Sequence, residues 1–229
     1  MNQETKSKNM YHEGDKAGLR KFLLQPSAVK GKKNAEIVGL HRDDIANLKD
    51  KDNEEWVEKI KGLVWNDEPE KRLVEIWWTR SYSMDELKIW WAILNMNELE
   101  KMFEENRKNI EEDIGTLAGT LDARKWSELT TLNVSGNAIT KLNLSNNKLL
   151  TSLVCHGNRL IALDVSANTE LVELGCWENQ LKGLDISANT KLVTLYCLGN
   201  PFPLTNLDIR NNIQLQYVDY RDKKSGNNF

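Results

Sequence analysis

The chain holds only three cysteines in 229 residues. Three cannot all pair with one another, which excludes a disulfide-stapled mini-domain. It also holds only three histidines, His12, His41 and His156. His12 and His41 sit in polar stretches, and no Gly-x-Ser-x-Gly, phosphate loop or His-Glu-x-x-His pattern occurs. These gaps set catalysis aside and leave no cofactor to expect. Basic charge is not in excess. Against 34 acidic side chains stand 31 basic ones, a net −3, which argues against a general nucleic-acid binder. No apolar run approaches the roughly 18–20 residues of a membrane helix. Met1 to Met10 are polar, so no export leader is expected in this stretch. A location at the cell surface or outside it would need a leader removed earlier. Otherwise the cytoplasm stays open.

What is present is unevenly placed. Seven of the eight tryptophans precede residue 127: Trp56, Trp65, Trp77, Trp78, Trp90, Trp91 and Trp126. All three cysteines follow residue 150. Residues 1–41 hold eight basic and four acidic side chains, a local +4, and residues 80–116 hold five and nine, a local −4. The halves are therefore different kinds of structure.

The second half repeats. Cys155, Cys176 and Cys197 are 21 residues apart. Asparagines recur at 137, 147, 158, 168, 179, 189, 200 and 212, and leucines keep the same beat from Leu132 to Leu207. Periods of this length mark stacked-coil architectures. Within a unit such as "LVELGCWENQLKGLDISANTK", apolar and polar residues alternate, which is strand periodicity. Each extended segment precedes a turn with an Asn, whose amide can bond main-chain groups. One unit is then one coil of a flat solenoid, with two extended segments on opposite sides. About four such coils stack at the strand spacing of about 4.8 Å.

The cysteines take the second inward position of their strands, where the first coil has Val134. A reduced, packed ladder is the expectation, with a metal site or disulfide the less favoured reading. Asp164, Asp185 and Asp208 also recur. One carboxylate per coil is thin for Ca²⁺, and side-chain to main-chain bonding accounts for them better. The outward positions beside the cysteines vary from coil to coil: Ser152, Val154 and His156, then Glu173, Gly175 and Trp177, then Thr194, Tyr196 and Leu198. An exposed cluster of aromatic and apolar groups is expected there, and such clusters mark binding surfaces.

The unit Leu-x-x-Leu-x-Cys-x-x-Asn-x-Leu-x-x-Leu-Asp-Val-Ser-x-Asn-x-x-Leu resembles the cysteine-type leucine-rich repeat of bacterial surface proteins, including internalin-family repeats with a cysteine ladder. The likeness covers about residues 117–220. It implies adhesion or recognition of another macromolecule through the cysteine-strand face, not catalysis. Carried over by position, it points to His156, Trp177, Tyr196 and Leu198. Two departures stand out. Val134 replaces the cysteine of the first coil. In the last coil "GNPFPLTNLDI" brings Pro201 and Pro203, read as a bulge that weakens the final strand pairing.

A solenoid needs its first coil covered. Residues 13–24 place Ala17, Leu19, Phe22, Leu23 and Leu24 for an amphipathic helix that ends before Pro26. Residues 41–48 suggest a short helix, and "EEWVEKIKGL" gives a stripe of Trp56, Val57, Ile60 and Leu63. "LVWNDEPEKRLVEIWW" reads as strand, turn and strand, with Leu73, Ile76 and Trp78 inward and Trp77 outward near the variable face. Trp126 stands where the rungs carry Asn, as a packed shield between cap and repeats. Residues 80–116 interrupt with two helical stripes, one around the tandem Trp90–Trp91 and one around Leu99 and Phe103.

The resulting expectation is an α+β chain. An N-terminal helical cap with an irregular rung spans 1–79 and a helical insertion spans 80–116. A leucine-rich repeat β-solenoid spans 117–220, and a tail follows at 221–229. It is expected to bind a protein or glycan, as a monomer, through His156, Glu173, Trp177, Tyr196, Leu198 and Trp77. The competing readings are a structural spacer within a longer array and, last, an enzyme using His156.

Overall fold

The 21-residue period becomes a stack of parallel strands in the computed structural model. The structure describes residues 11–27, 30–37, 40, 45, 48, 55–60, 63–67, 71–77, 117–202 and 207–219. The expected insertion over 80–116, the tail over 221–229, Trp78 and the side chain of Trp77 lie outside them, as does most of the 41–48 segment.

The main sheet has seven strands in the order β1-β2-β4-β6-β7-β8-β9. Strands β4 (Thr131–Asn133), β6 (Ser152–Val154), β7 (Glu173–Gly175), β8 (Thr194–Tyr196) and β9 (Tyr217–Asp219) are the regular rungs, so there are five rather than about four. They pair in parallel, with Leu132, Leu153, Leu174, Leu195 and Val218 in one row. The four leucines of that row are fully buried. Each is worth roughly 1.5–3 kcal/mol of burial. The irregular rung is also present. β2 (Leu73–Trp77) pairs in parallel with β4, and β1 (Leu63–Trp65) runs antiparallel to β2.

Two expectations about the solenoid need correction. On the far side, among the described residues, a second ladder forms only between β3 (Ala118–Asp122) and β5 (Ala138–Asn143). Beyond it the far side is built of turns, in which side chains bond main-chain donors. Asp164 Oδ1 accepts from the Ser166 N–H and hydroxyl, and Asp185 Oδ1 from the Ser187 N–H. The final strand pairing is also not weakened. Asn200 to Asn212 is two residues longer than Asn179 to Asn189, yet Thr194, Leu195 and Tyr196 pair with Tyr217, Val218 and Asp219 in register.

Two asparagine ladders join the coils. Asn179 shows the first pattern. Its Nδ2 donates to the carbonyls of Cys155 and Cys176 at 3.0 and 3.1 Å, while its Oδ1 accepts from the Leu160 N–H at 3.0 Å. Asn137, Asn158 and Asn200 use the same kind of contacts. In the second ladder each amide reaches the carbonyl of its counterpart one coil back. Asn212 donates to Asn189, Asn189 to Asn168, Asn168 to Asn147, and Asn147 to Trp126. Trp126 does therefore hold the first place of an asparagine row.

The cap closes that end. Helix α1 (Glu13–Leu23) stops before Pro26 and buries Leu19, Phe22 and Leu23. Ala17, expected in the buried stripe, is exposed. Short helices α2 (Asn34–Ile37) and α3 (Glu55–Lys59) follow, with Trp56, Val57 and Ile60 buried and Leu63 in β1. Trp126 is fully buried against α1, and its Nε1 donates to the Asp15 carbonyl at 3.0 Å. Gly18 permits this approach, since a Cβ there would lie 2.7 Å from Trp126 Nε1. The buried Asp15 carboxylate accepts from Arg72 Nε at 3.0 Å and from the Leu73 N–H at 2.9 Å. Amides of the cap also finish the edge of β3. Gln25 exchanges two hydrogen bonds with Thr120, and Asn34 two with Ala118.

Replacing Asn179 by Ala leaves the buried Leu160 N–H without its acceptor, while the Cys155 and Cys176 carbonyls keep the amides of Asn158 and Asn200. At about 1–3 kcal/mol for a buried unpaired group, the expected loss is about 1–3 kcal/mol. A shift of the urea midpoint at unchanged slope measures it.

Candidate interaction face

Register puts the variable positions of successive rungs side by side. Asn133 pairs with Val154, Val154 with Gly175, Gly175 with Tyr196 and Tyr196 with Asp219. His156 and Trp177 lie just beyond the strand ends, in line with them. At about 4.8 Å between rungs, large rings on neighbouring rungs must stack or tilt. They do both. His156 and Trp177 are stacked, with centroids 3.6 Å apart and planes within 8°. Trp177 meets Tyr196 edge-on at 5.8 Å, and Tyr196 meets Tyr217 at 5.1 Å with a 44° tilt. One continuous row of four rings crosses the face.

Gly175 explains the position of the indole. A Cβ on Gly175 would lie 2.8 Å from Trp177 Cζ3, so the Trp177 ring folds back along its own strand into the glycine's space. It lies there next to Val154, which is itself buried.

The expectation of exposed rings is therefore corrected. His156 is 4% exposed, Trp177 8% and Tyr196 8%. The physical cause within the row is mutual stacking, with glycine removed from beneath the largest ring. Leu198 and Glu173 are half-buried, and Tyr217, which was not among the expected site residues, is 39% exposed. Glu173 Oε2 accepts from the Ser152 hydroxyl at 3.1 Å. Of the expected set, the structure brings His156, Trp177 and Tyr196 into contact and puts Glu173 and Leu198 on the flanking rung positions. Trp77 is placed by its main chain alone, paired with Asn133.

A further residue was missed. Gly136, Gly157 and Gly199 recur every 21 or 42 residues, each with positive φ. Glu178 fills the remaining place in that column at φ +50, the one non-glycine with positive φ among the described residues. Side chains in that region carry a cost of order 1–3 kcal/mol. The column of glycines, with one glutamate in step, was visible in the sequence.

Burial sets the electrostatics. His156 is pushed down to about 3 by burial, so its imidazole is neutral at ordinary pH. The Tyr196 hydroxyl is raised, first by burial and then by the carboxylates of Glu173 and Asp219. Behind the face, burial pushes the thiols of Cys155 and Cys197 up to about 12 and raises that of Cys176 well above its usual range. All three are free and buried. Among the described residues no group of three or more His, Cys, Asp or Glu is placed to hold a metal ion. No helix among them is long and apolar enough to cross a membrane.

Two solved structures similar to this chain are internalins of Listeria monocytogenes. The functional domain of InlJ, titled as including a cysteine ladder, is 32% identical over 44% of this chain and 26% of its own, with a TM-score of 0.39. The internalin InlF from strain 4b F2365 is 20% identical over 44% of this chain and 37% of its own, with a TM-score of 0.38. The matched part thus spans well under half of either protein. Superposition of this quality lends no weight to any functional assignment. No family model and no curated protein matches the chain. The cysteine-ladder repeat itself stands on the strand register and buried thiols described above.

Two outcomes follow from this geometry. The thiols should resist a maleimide at pH 7.5 in the folded chain and react fully in denaturant, because thiolate is scarce so far below their titration. Mass spectrometry counts the adducts. For His156 the folded value of about 3 lies below the ordinary 6.5. The unfolded chain therefore takes up the proton first as pH falls. The stability contribution of neutral His156 is whole above about pH 6.5 and is lost as pH drops toward about 3. His156→Phe keeps a ring in the row and should flatten the fall of melting temperature across that window.

Proposed function

We propose that the chain is a non-catalytic binding protein that recognises another protein through the cysteine-strand face of its solenoid, in adhesion or in interaction at a cell surface. The observation that carries this reading is the row His156, Trp177, Tyr196 and Tyr217, aligned rung by rung on a sheet whose far side is repetitive and polar. Aromatic residues dominate the energetics of protein interfaces, and a row already locked by stacking loses little conformational entropy on binding.

A protein fits this face better than a glycan. Sugars bind aromatic sites by lying on an open ring face. Here the His156 and Trp177 faces are used against each other. What remains for a partner is the exposed Tyr217, the ring edges, and the half-buried Glu173 and Leu198. The His156 imidazole is buried, neutral and stacked on Trp177, which keeps the enzymatic reading last.

The double change Trp177→Ala with Tyr196→Ala should leave the repeat folded, as judged by circular dichroism, and abolish capture of a partner from cell-surface extracts. Each truncation at an interface centre costs about 2 kcal/mol or more of binding. Undiminished capture would show that the contact surface lies elsewhere. A chain acting purely as a spacer would show no specific capture before or after the change.

A further inference from the structure

We propose that the last coil is an association surface whose partner is a second copy of this chain, docked end to end about a twofold axis. The proposal is independent of the reading of the aromatic face.

The two ends of the solenoid differ. At the first coil Trp126, Gln25 and Asn34 supply the groups of a missing neighbour. At the last described coil the interior is open. Ile209 is 44% exposed, whereas Ile186, in the same place one coil back, is 1% exposed. Leu207, Leu215 and Val218 are half-buried, whereas Leu184, Leu192 and Leu195 are buried. Backbone groups are open there too. The Ile186 and Asn189 carbonyls each accept from an N–H of their own turn and from the Asn212 amide. Their counterparts, the carbonyls of Ile209 and Asn212, have only the first of these bonds among the described contacts. Among the described residues β9 is also the last strand of its sheet. Its Tyr217 N–H and Asp219 carbonyl are bonded toward β8. Backbone groups alternate sides along a strand, so the N–H and C=O of Val218 face the open edge.

Whatever covers this end must bring an apolar row and backbone hydrogen bonds at strand spacing together. A lipid or an apolar helix brings the first without the second. The edge of another solenoid brings both, and the end of this chain fits itself. Two β9 strands pair antiparallel about Val218, so each Val218 N–H donates to the other copy's Val218 carbonyl. Tyr217 of each copy then stands opposite Asp219 of the other, which keeps the two Asp219 carboxylates apart. Charge permits like ends to approach, since Asp208 is paired with Arg210 of its own chain. The last coil also carries Ile213, 86% exposed, where earlier coils carry Lys148, Thr169 and Thr190. Because the cap closes the other end, each chain has one such surface, and association stops at a dimer without growing into a fibre. The two sheets join with both aromatic rows on the same side.

The test follows the mass of the full chain by sedimentation equilibrium over a dilution series, since a dimer's population depends on concentration. The expected result is a monomer–dimer equilibrium that ends at twice the chain mass. Ile209→Lys puts a charge on the open end at a position already partly exposed. It should weaken the dimer at least about tenfold, because the twofold axis counts the change twice. Ile213→Lys provides a variant at a solvent-exposed position. It should weaken the dimer severalfold and leave the melting temperature of the dilute chain unchanged. In the native chain the Val218 amide should exchange with solvent more slowly as concentration rises.

The monomer expected from the sequence, if it persists to about millimolar concentration, overturns the proposal. So does a dimer indifferent to both lysine changes, a Val218 amide whose exchange ignores concentration, or a mass that grows past two copies. Trp177→Ala with Tyr196→Ala should leave the dimer intact. A dimer lost with those rings uses the aromatic face in place of this end, and that also overturns the proposal. Capture of a partner by the aromatic face is read separately, so the two proposals fail separately.

Discussion

A coil that turns back on itself within 21 residues cannot pair all of its backbone in sheets. The regular rungs are three residues long, and the turns between them point carbonyls and N–H groups into a dry interior. Those groups must find partners. The buried asparagine amides supply them. A single side chain such as Asn179 serves carbonyls of its own coil and of the one before, and an N–H of that earlier coil as well. The bond therefore works in two directions, closing one turn and fixing the next coil at the same height. Leucine burial drives the stack together, but it tolerates sliding. The amides do not. Register along the solenoid is set by hydrogen bonds that a one-residue slip would break at every coil.

The same constraint explains why the cap takes the form it does. The first coil has no predecessor to receive its amides or to finish its ladder. The chain solves this by imitation. Trp126 provides the carbonyl that Asn147 requires and fills the Asn place with an indole, whose own N–H goes to α1. Gln25 and Asn34 pair with β3 as a further strand would. Asp15 holds the Arg72 side chain and the Leu73 N–H where α1 meets β2. The cap is thus not simply a hydrophobic cover. It reproduces, with side chains, the backbone groups of a coil that is not there.

Much of this was legible because repetition amplifies weak signals. A leucine, a cysteine or an asparagine means little alone, and a row in step means a rung. That is why the strand face, the reduced cysteine column, the α1 boundary at Pro26 and the role of Trp126 could be read from the residues. What could not be read depends on pairs without a period. Asp15 and Arg72 are 57 residues apart and occur once. Gln25 meets Thr120 across 95 residues. The exposure of the face was misread for a related reason. Alternation says which way a side chain leaves the strand, not where its ring comes to rest. Gly175, two residues before Trp177, decided that by leaving room for the indole to lie down. The expected number of coils, about four, fell one short of the five regular rungs.

Stacking changes what kind of surface the proposed binding face would offer. A loose aromatic side chain that reaches for a partner is ordered at the partner's expense. Here the ordering has happened on folding, since His156 and Trp177 are held face to face and Tyr196 is wedged edge-on. The contact area offered is smaller than four free rings would give, because the faces are spent on one another. It is also flatter and less adaptable. Such a floor discriminates poorly by shape, so discrimination falls to the groups at its margin. Those are the positions where the repeat is least regular: Glu173 and Leu198 where other coils carry different residues, Glu178 where they carry glycine, and Tyr217 on the last rung. The solenoid keeps its hydrogen-bonding interior nearly invariant and leaves variation to the outward positions of its rungs, where a change of side chain leaves the register undisturbed.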